Sequence, residues 1–328
     1  MADVSLIVGT TLSRWAPEIA DNVSDRNSFM AFMKVQNKRF KSRGDERFVI
    51  VDGGQDFRET LFFNLNSTFK GYADRATIDT AVGNPIKEAR FDHRIVAGSI
   101  NISFLEEAQN TQKYQIHNLA KVKKKEAEIS MSEVMGAAAL SDGTTDTLIP
   151  GGLQLLISLT APTAGVGTIT EADAPAWAPY RDTTGVSAWN TSDEGLIALD
   201  LAFENTTRGP EKPDCIVTTV AIKSLINIMM IKNSTINREG SAEMAQLGYD
   251  TIKYRGAEIM ADDNVTAGRL YLVNTKFLRF QVLREGNFKM TKEKEPVGGL
   301  FKVMQLYVFS NFTTGARRLQ GVMSGITG

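Results

Sequence analysis

Between Ser103 and Leu140 no proline interrupts a run in which apolar residues recur at helical spacing, at Leu105, Ala108, Ile116, Leu119, Val122, Ala127, Met131, Val134, Met135 and Ala138. Ser103-Phe104-Leu105-Glu106 opens the run as a capping box, in which the Ser103 hydroxyl and the Glu106 carboxylate satisfy each other's backbone donors, and Ser141-Asp142-Gly143 supplies the stop. At 1.5 Å per residue such a helix is about 57 Å long. A compact globule of 328 residues has a radius of gyration of only roughly 20 Å. The spacing therefore predicts an elongated subunit.

What precedes the helix cannot build a core alone. Residues 1–46 carry one short helical pattern, at Phe29, Met30, Phe32 and Met33, then a basic run from Lys34 to Arg43 closed by Gly44. Such a segment must dock, either as an arm on another molecule or as a terminal helix on its own domain. Arg47 to Asp52 and Glu59 to Leu65 read as extended chain around Gly53-Gly54. Strand character returns in Ala89 to Ile102, where Phe91, His93, Ile95 and Ala97 alternate with polar neighbours. Ser67 to Glu88 has no clear period and resembles the tip of a long two-stranded excursion. Isolated two-stranded ribbons are marginal in water, so this one needs a surface to lie on. The surface is its own core in a monomer, a neighbour in an assembly.

Beyond the helix, residues 141–190 are loop-like, with turn signals at Asp142-Gly143, Pro150-Gly151-Gly152 and Gly165-Val166-Gly167. Thr191 and Glu194 form a capping box before Leu196 to Phe203; Cys215 to Thr218 reads as a buried strand, and Thr219 caps Val220 to Ile231. Thr251 to Tyr254, Ala257 to Met260, Arg269 to Val273, Phe277 to Leu283 and Phe301 to Phe309 read as strands. Helices interleaved with strands and then a run of strands point to the α+β class.

The composition offers little chemistry. One cysteine, Cys215, and two histidines, His93 and His117, leave almost nothing for disulfides or for a zinc or iron site. Cys215 reads as a small hydrophobe, the histidines as ordinary surface residues, and Asp262-Asp263 as turn residues. There is no Gly-Lys dipeptide and no Gly-x-Ser-x-Gly elbow, and Gly165-Val166-Gly167 lacks the third glycine of a dinucleotide loop. No catalytic, cofactor-binding or metal-ligating residue is assigned. An acid pair assembled by folding remains a route to an enzyme. The apolar stretches, such as Leu225 to Ile231, fall far below the ~20 residues of a membrane span, so a soluble, intracellularly made protein without a membrane partner is expected. Charge is uneven: residues 141–200 hold one base, Arg181, against eight acids, and residues 261–328 hold ten bases against five acids. Opposite blocks suit a chain that packs against copies of itself, or a solvated surface. No basic patch sufficient for sequence-specific nucleic-acid binding is present.

In order and pattern the chain resembles the major capsid proteins of tailed bacteriophages, which have the Hong Kong 97 fold. The resemblance runs from about Arg47 to the C-terminus. It rests on the extended arm Phe57 to Ile102, the helix Ser103 to Leu140 with Ser141-Asp142-Gly143-Thr144, and Ile149-Pro150-Gly151-Gly152-Leu153-Gln154-Leu155-Leu156. Val166-Gly167-Thr168-Ile169 with Trp177, Pro213-Asp214-Cys215-Ile216-Val217-Thr218-Thr219, Tyr254-Arg255-Gly256-Ala257-Glu258-Ile259 and Arg269-Leu270-Tyr271-Leu272-Val273-Asn274 follow. Asn311-Phe312-Thr313 through Arg317-Arg318-Leu319-Gln320-Gly321 complete it.

The resemblance implies an N-terminal arm (1–46), an extended loop with flanking strands (47–102) and a spine helix that begins the peripheral domain (103–150). A connecting region (151–190), an axial domain (191–265) and C-terminal strands returning to the peripheral domain (266–328) follow. It implies a subunit that assembles through pentamers and hexamers into an icosahedral virion shell in the host cytoplasm, around double-stranded DNA held without sequence specificity. A separate scaffolding protein and a portal are implied partners. Lys70, Tyr72, Ile86 and Phe91 on the loop are implied inter-subunit contacts. The cluster Lys121, Lys123, Lys124 and Lys125 reads as a solvated helix face or, facing the lumen, as a DNA contact. Lys70 and Lys87 match no crosslinking motif. A bacterial nanocompartment shell and an α+β enzyme are the alternatives. Deleting Lys70 to Glu88 is expected to spare subunit folding and prevent shell closure.

Overall fold

A computed structural model describes residues 27–41, 45–63, 66–80, 85–109, 119–183, 189, 194–232 and 252–327. In chain order the elements are α1 (Ser28–Phe40), β1 (Phe48–Val51), β2 (Phe57–Phe62), β3 (Ile86–Phe91), β4 (Arg94–Ser103), α2 (Phe104–Gln109), α3 (Leu119–Leu140) and α4 (Leu153–Leu156). They continue with β5 (Tyr180–Asp182), α5 (Glu194–Thr206), β6 (Cys215–Thr218), α6 (Val220–Lys232), β7 (Ile252–Tyr254), β8 (Ala257–Ala261) and β9 (Leu270–Val273). β10 (Leu278–Leu283), β11 (Lys289–Met290), β12 (Phe301–Thr314) and β13 (Gly321–Met323) complete the order.

One sheet is organised by β12, a 14-residue strand. Its N-terminal part runs antiparallel to β4 from Phe301 opposite Ser103 to Ser310 opposite Arg94. Its C-terminal part pairs with β10, which carries β1 in parallel on its far edge. The second sheet has the order β5-β13-β9-β6-β8-β7. All residues of β6 and β9 are buried, as central strands covered on both faces must be. Period-two alternation divides them between two cores: Cys215 and Val217 face one, Ile216 the other. The first core gathers Phe29, Phe32 and Met33 of α1, Met131 and Met135 of α3, and Phe280 and Phe312 of the long-strand sheet. The second gathers Leu199 and Phe203 of α5 with Ile222, Ile226 and Met230 of α6.

The run Ser103–Leu140 is not one straight helix. The capping box forms, with Ser103 N–H donating to Glu106 Oε2 at 3.1 Å and Leu105 N–H to Ser103 Oγ at 3.3 Å, but it starts the short α2. Lys123 Nζ of α3 reaches Glu106 Oε2 at 2.8 Å. A straight helix would hold those two residues about 25 Å apart along its axis. The chain therefore folds back between α2 and α3, and the spine is the 22-residue α3, about 33 Å long. Residues 110–118, with His117, lie outside the described residues, as does Thr191 of the second capping box. Thr219 does cap α6, accepting from Ile222 N–H at 3.5 Å.

Strand phase also changes at one point. Phe91 is buried, but β4 buries Val96, Ile100 and Ile102 and exposes Ile95 and Ala97. The chain leaves the β2–β3 ribbon at Asp92-His93 and enters the other sheet, which resets the facing of every later side chain. The divide expected between residues 265 and 266 does not separate the sheets, because β9 and β13 sit inside the sheet of β6 and β8. The described part of the N-terminal segment docks on its own chain: burial of Phe29, Phe32 and Met33 contributes roughly 1.5–3 kcal/mol each.

Candidate assembly surfaces

The β2–β3 ribbon has a fastened root and an open tip. β2 alternates buried Phe57, Glu59 and Leu61 with exposed Arg58, Thr60 and Phe62. The buried Glu59 carboxylate accepts from Arg279 Nη1 at 2.6 Å, Gln281 Nε2 at 2.7 Å and Thr313 Oγ1 at 2.9 Å, which ties β2 to β10 and β12. On β3, Ala89 and Phe91 are buried, and Arg90 N–H donates to Gly167 O at 3.0 Å. Gly167 has a φ of 62°, and a β-carbon there would come within 2.8 Å of Ala89 Cβ, so glycine is needed for both reasons. His93 closes the root: its Nε2 lies 3.0 Å from Gly54 O and its ring meets Phe57 edge-on at 4.3 Å. It is thus a packed, half-buried residue rather than an ordinary surface histidine. Its Nδ1 is buried without a hydrogen-bond partner among the described residues.

Past the last paired residues, Phe62 and Ile86, the chain at 66–80 has no regular structure. Tyr72 organises it, donating to Thr68 O at 2.8 Å and accepting from Asp79 N–H at 3.1 Å, while Lys70 meets Asp79 at 3.3 Å. Phe69 is 88% exposed and Ile78 66% exposed, although each is large and apolar. Of the four residues expected at an inter-subunit contact, Lys70, Tyr72 and Ile86 lie on this outer part. Phe91 does not: it is buried beside Gly167 in the first core, so no neighbour reaches it. Lys87 is held by Asp173 O at 3.2 Å. Because β3 begins at Ile86, a deletion from Lys70 to Glu88 removes part of the root ladder as well as the tip.

The four lysines of the spine differ in their surroundings. Lys123 donates to Asn101 O and to Glu106, each at 2.8 Å, and so ties α3 to β4 and α2. Lys121 and Lys125 are exposed, and Lys124 is half-buried. A groove of about 340 Å³ between β4 and α3 is lined by Lys123, Glu126, Ser130, Val134 and strand residues.

Buried acids hold distant segments together. Asp262 caps α1 from 233 positions away: its Oδ2 accepts from Phe29 N–H at 3.1 Å and from Ser28 Oγ at 3.3 Å. Burial raises its pKa, against the opposing pull of those bonds. The sequence marked it only as a turn residue, and its turn partner Asn264 is there too, donating to Oδ1 at 3.2 Å. Glu171 accepts from Arg181 Nη1 at 2.7 Å and Arg317 Nη1 at 3.1 Å. The hydrogen bond from Arg181 is the main reason its pKa is lowered. Arg317, fully buried, also donates to Leu156 O at 2.7 Å and Ser158 Oγ at 3.2 Å. Members of the acidic and basic blocks thus pair inside one chain. Asp214 accepts from Thr275 N–H at 2.9 Å. Cys215 is fully buried, and desolvation with the nearby Asp214, Glu258 and Asp262 pushes its thiol pKa well up. Among the described residues no three His, Cys, Asp or Glu side chains gather to hold a metal ion, and no helix is long and apolar enough to cross a membrane.

No protein-family model matches the chain, and no curated protein does. Solved structures do. The capsid asymmetric unit of cyanophage A-1(L) superposes with a TM-score of 0.67 at 13% identity, over 97% of this chain and 98% of that one. The holo-SrpI encapsulin complex of Synechococcus elongatus gives a TM-score of 0.61 at 8% identity, over 99% and 96%. The capsid of the Myoviridae phage XM1 gives 0.57 at 13% identity, over 96% and 97%.

Proposed function

We propose that this chain, which has the Hong Kong 97-like α+β fold, is a shell subunit: the major capsid protein of a tailed phage. In this reading it assembles through rings of five and six into a closed icosahedral shell around double-stranded DNA, and works as a structural protein rather than an enzyme. The observation that carries the reading is the ribbon. Its root is fully fastened by Glu59, while Phe69 and Ile78 at its tip present apolar surface to water. Large apolar side chains held in water at such a tip are accounted for when a neighbour covers them. Many modest contacts then add up through closure. A separate scaffolding protein, a portal and virion location belong to the same reading. So does contact of the exposed Lys121 and Lys125 with packaged DNA, by charge alone.

The test is electron microscopy of the purified chain beside a variant lacking residues 66–80, which spares the β2–β3 ladder. Closed shells from the full chain and folded but unclosed material from the variant are expected. Absence of rings and shells both from the purified chain and from the chain made in its native host overturns the reading. The similarity to an encapsulin favours a second reading, a nanocompartment shell around a protein cargo. Nuclease-protected DNA in particles made in the native host selects the first; particles with protein cargo and no nucleic acid select the second.

A further inference from the structure

A second concave surface lies where the end of α5, the strand β5 and the turn before β13 converge. It is a cleft of about 420 Å³ lined by Pro175, Pro179, Tyr180, Asn205, Arg208 and Arg318, with no acidic side chain among the described residues that line it. Its walls are fixed from behind. Tyr180 N–H donates to Gln320 O at 3.0 Å, and a β-carbon at Gly321, which pairs with Tyr180, would come within 2.8 Å of Thr206 Cγ2. The end of α5 therefore seats directly on β13. The turn at Arg317–Leu319 is closed by Gln320 N–H to Arg317 O at 2.9 Å, and Arg208 is held by reciprocal backbone bonds with Glu211 at 2.8 and 3.0 Å.

The two arginines have no task within the chain. Arg208 follows the C-terminus of α5, where a cation ordinarily serves the last carbonyls. Those carbonyls are already served: Asn205 Nδ2 donates to Leu201 O at 2.8 Å, Thr206 Oγ1 to Ala202 O at 2.9 Å and Thr207 Oγ1 to Phe203 O at 2.7 Å. The neighbouring acids are spent as well. Glu204 pairs with Arg255, Glu211 with Lys276, and Glu171 with Arg181 and Arg317. Among the described residues neither Arg208 nor Arg318 has an ion-pair partner. Two like charges thus share one concavity without a counter-charge, and a polyvalent anion relieves that arrangement.

Shape and chemistry narrow the anion. The volume lies within the ~300–1,000 Å³ range of small-molecule sites, more than a bare phosphate fills. Guanidinium forks match phosphate oxygens in pairs. The Tyr180 hydroxyl adds a donor, because burial and then Asp182 raise its pKa and keep it protonated. The Tyr180 ring between Pro175 and Pro179 gives a flat apolar wall, of the kind on which a nucleobase stacks. We infer that this cleft binds a nucleotide, with Arg208 and Arg318 on its phosphate and the proline–tyrosine wall against its base. An acidic peptide would engage the arginines and leave that wall unused. The inference stands apart from shell formation, and the nucleotide is either free or one unit of a nucleic-acid strand.

The melting temperature of the purified chain is expected to rise with millimolar dTMP, to rise less with inorganic phosphate and to stay unchanged with thymidine; added salt is expected to weaken the rise. Arg208→Gln with Arg318→Gln, both exposed positions, is expected to keep the ligand-free melting temperature and to lose the response. Phenylglyoxal footprinting read by mass spectrometry locates the site: dTMP is expected to protect Arg208 and Arg318 and to leave the exposed Arg284 reactive. An oligothymidylate run in parallel separates the sources, since protection by the strand alone supports a strand unit and protection by dTMP supports a free nucleotide. No protection of either arginine by dTMP or the strand overturns the inference, and an equal response to inorganic phosphate overturns the nucleotide assignment. Loss of shells from the double variant, with no nucleotide response in the unaltered chain, assigns the arginines to acids of another copy and likewise overturns it.

Discussion

Asn27 occupies the notch left by Gly136 on the spine helix: a β-carbon at Gly136 would stand 2.0 Å from Asn27 Oδ1. From there Asn27 donates to Ser132 O at 3.4 Å and Glu133 Oε1 at 3.3 Å, and accepts from Asn264 Nδ2 at 3.1 Å. One small residue thus lets the entry to α1 touch both α3 and the turn after β8.

Gly136→Ala sets two effects against each other. Alanine favours the helix by about 1 kcal/mol, whereas evicting Asn27 loses up to three hydrogen bonds worth about 0.5–1.5 kcal/mol each. The loss wins, with a net destabilisation of about 1–2 kcal/mol. Hydrogen exchange is expected to rise in α1 well before it rises in β6 or β9.

Glu59→Ala removes the acceptor shared by Arg279, Gln281 and Thr313 and leaves their donors facing a buried gap. A cost of about 2–4 kcal/mol follows. Urea unfolding measures it, and proteolysis is expected to cut the freed ribbon near its root; Glu59→Gln costs less because it keeps one oxygen.

Glu171 links stability to acid. Its pKa lies below the ordinary glutamate value because of the Arg181 hydrogen bond, so its contribution is present above that ordinary value and is lost as pH falls through the lower folded one. Glu171→Gln is expected to lower the melting temperature at neutral pH and to flatten its fall below about pH 4. Asp262 runs the other way, since burial raises its pKa and protonation favours the folded chain.

Cys215 is expected to resist alkylation at pH 8 in the folded chain, because burial and three nearby carboxylates keep its thiol protonated. Reaction after addition of urea reports opening of the six-stranded sheet. Rapid labelling without denaturant would show that β6 is not the closed central strand described above.

Local signals in the sequence agree with the structure where neighbours in the chain decide them. The capping box at Ser103, the cap at Thr219 and the strands from Cys215 to Leu283 depend on residues a few positions apart, and the α+β order followed from them. Features decided by distant partners were not legible. Nothing near Asp262 indicates that it caps a helix beginning at Ser28, and nothing near Phe91 indicates that Gly167 seats it in a core. Periodicity from Ser103 to Leu140 reports helical propensity on both sides of a reversal but not the reversal, which the bonds from Lys123 to Glu106 and to Asn101 reveal. The alternation at Phe91, His93 and Ile95 misled because strand phase holds only within one sheet.

The six-stranded sheet closes late. β13, at residues 321–323, lies between β5, at 180–182, and β9, at 270–273. While the ribosome is still translating that region, both neighbours present raw strand edges, and such edges are sticky. A copy cut short before Gly321 keeps two open seams where its siblings have one continuous sheet.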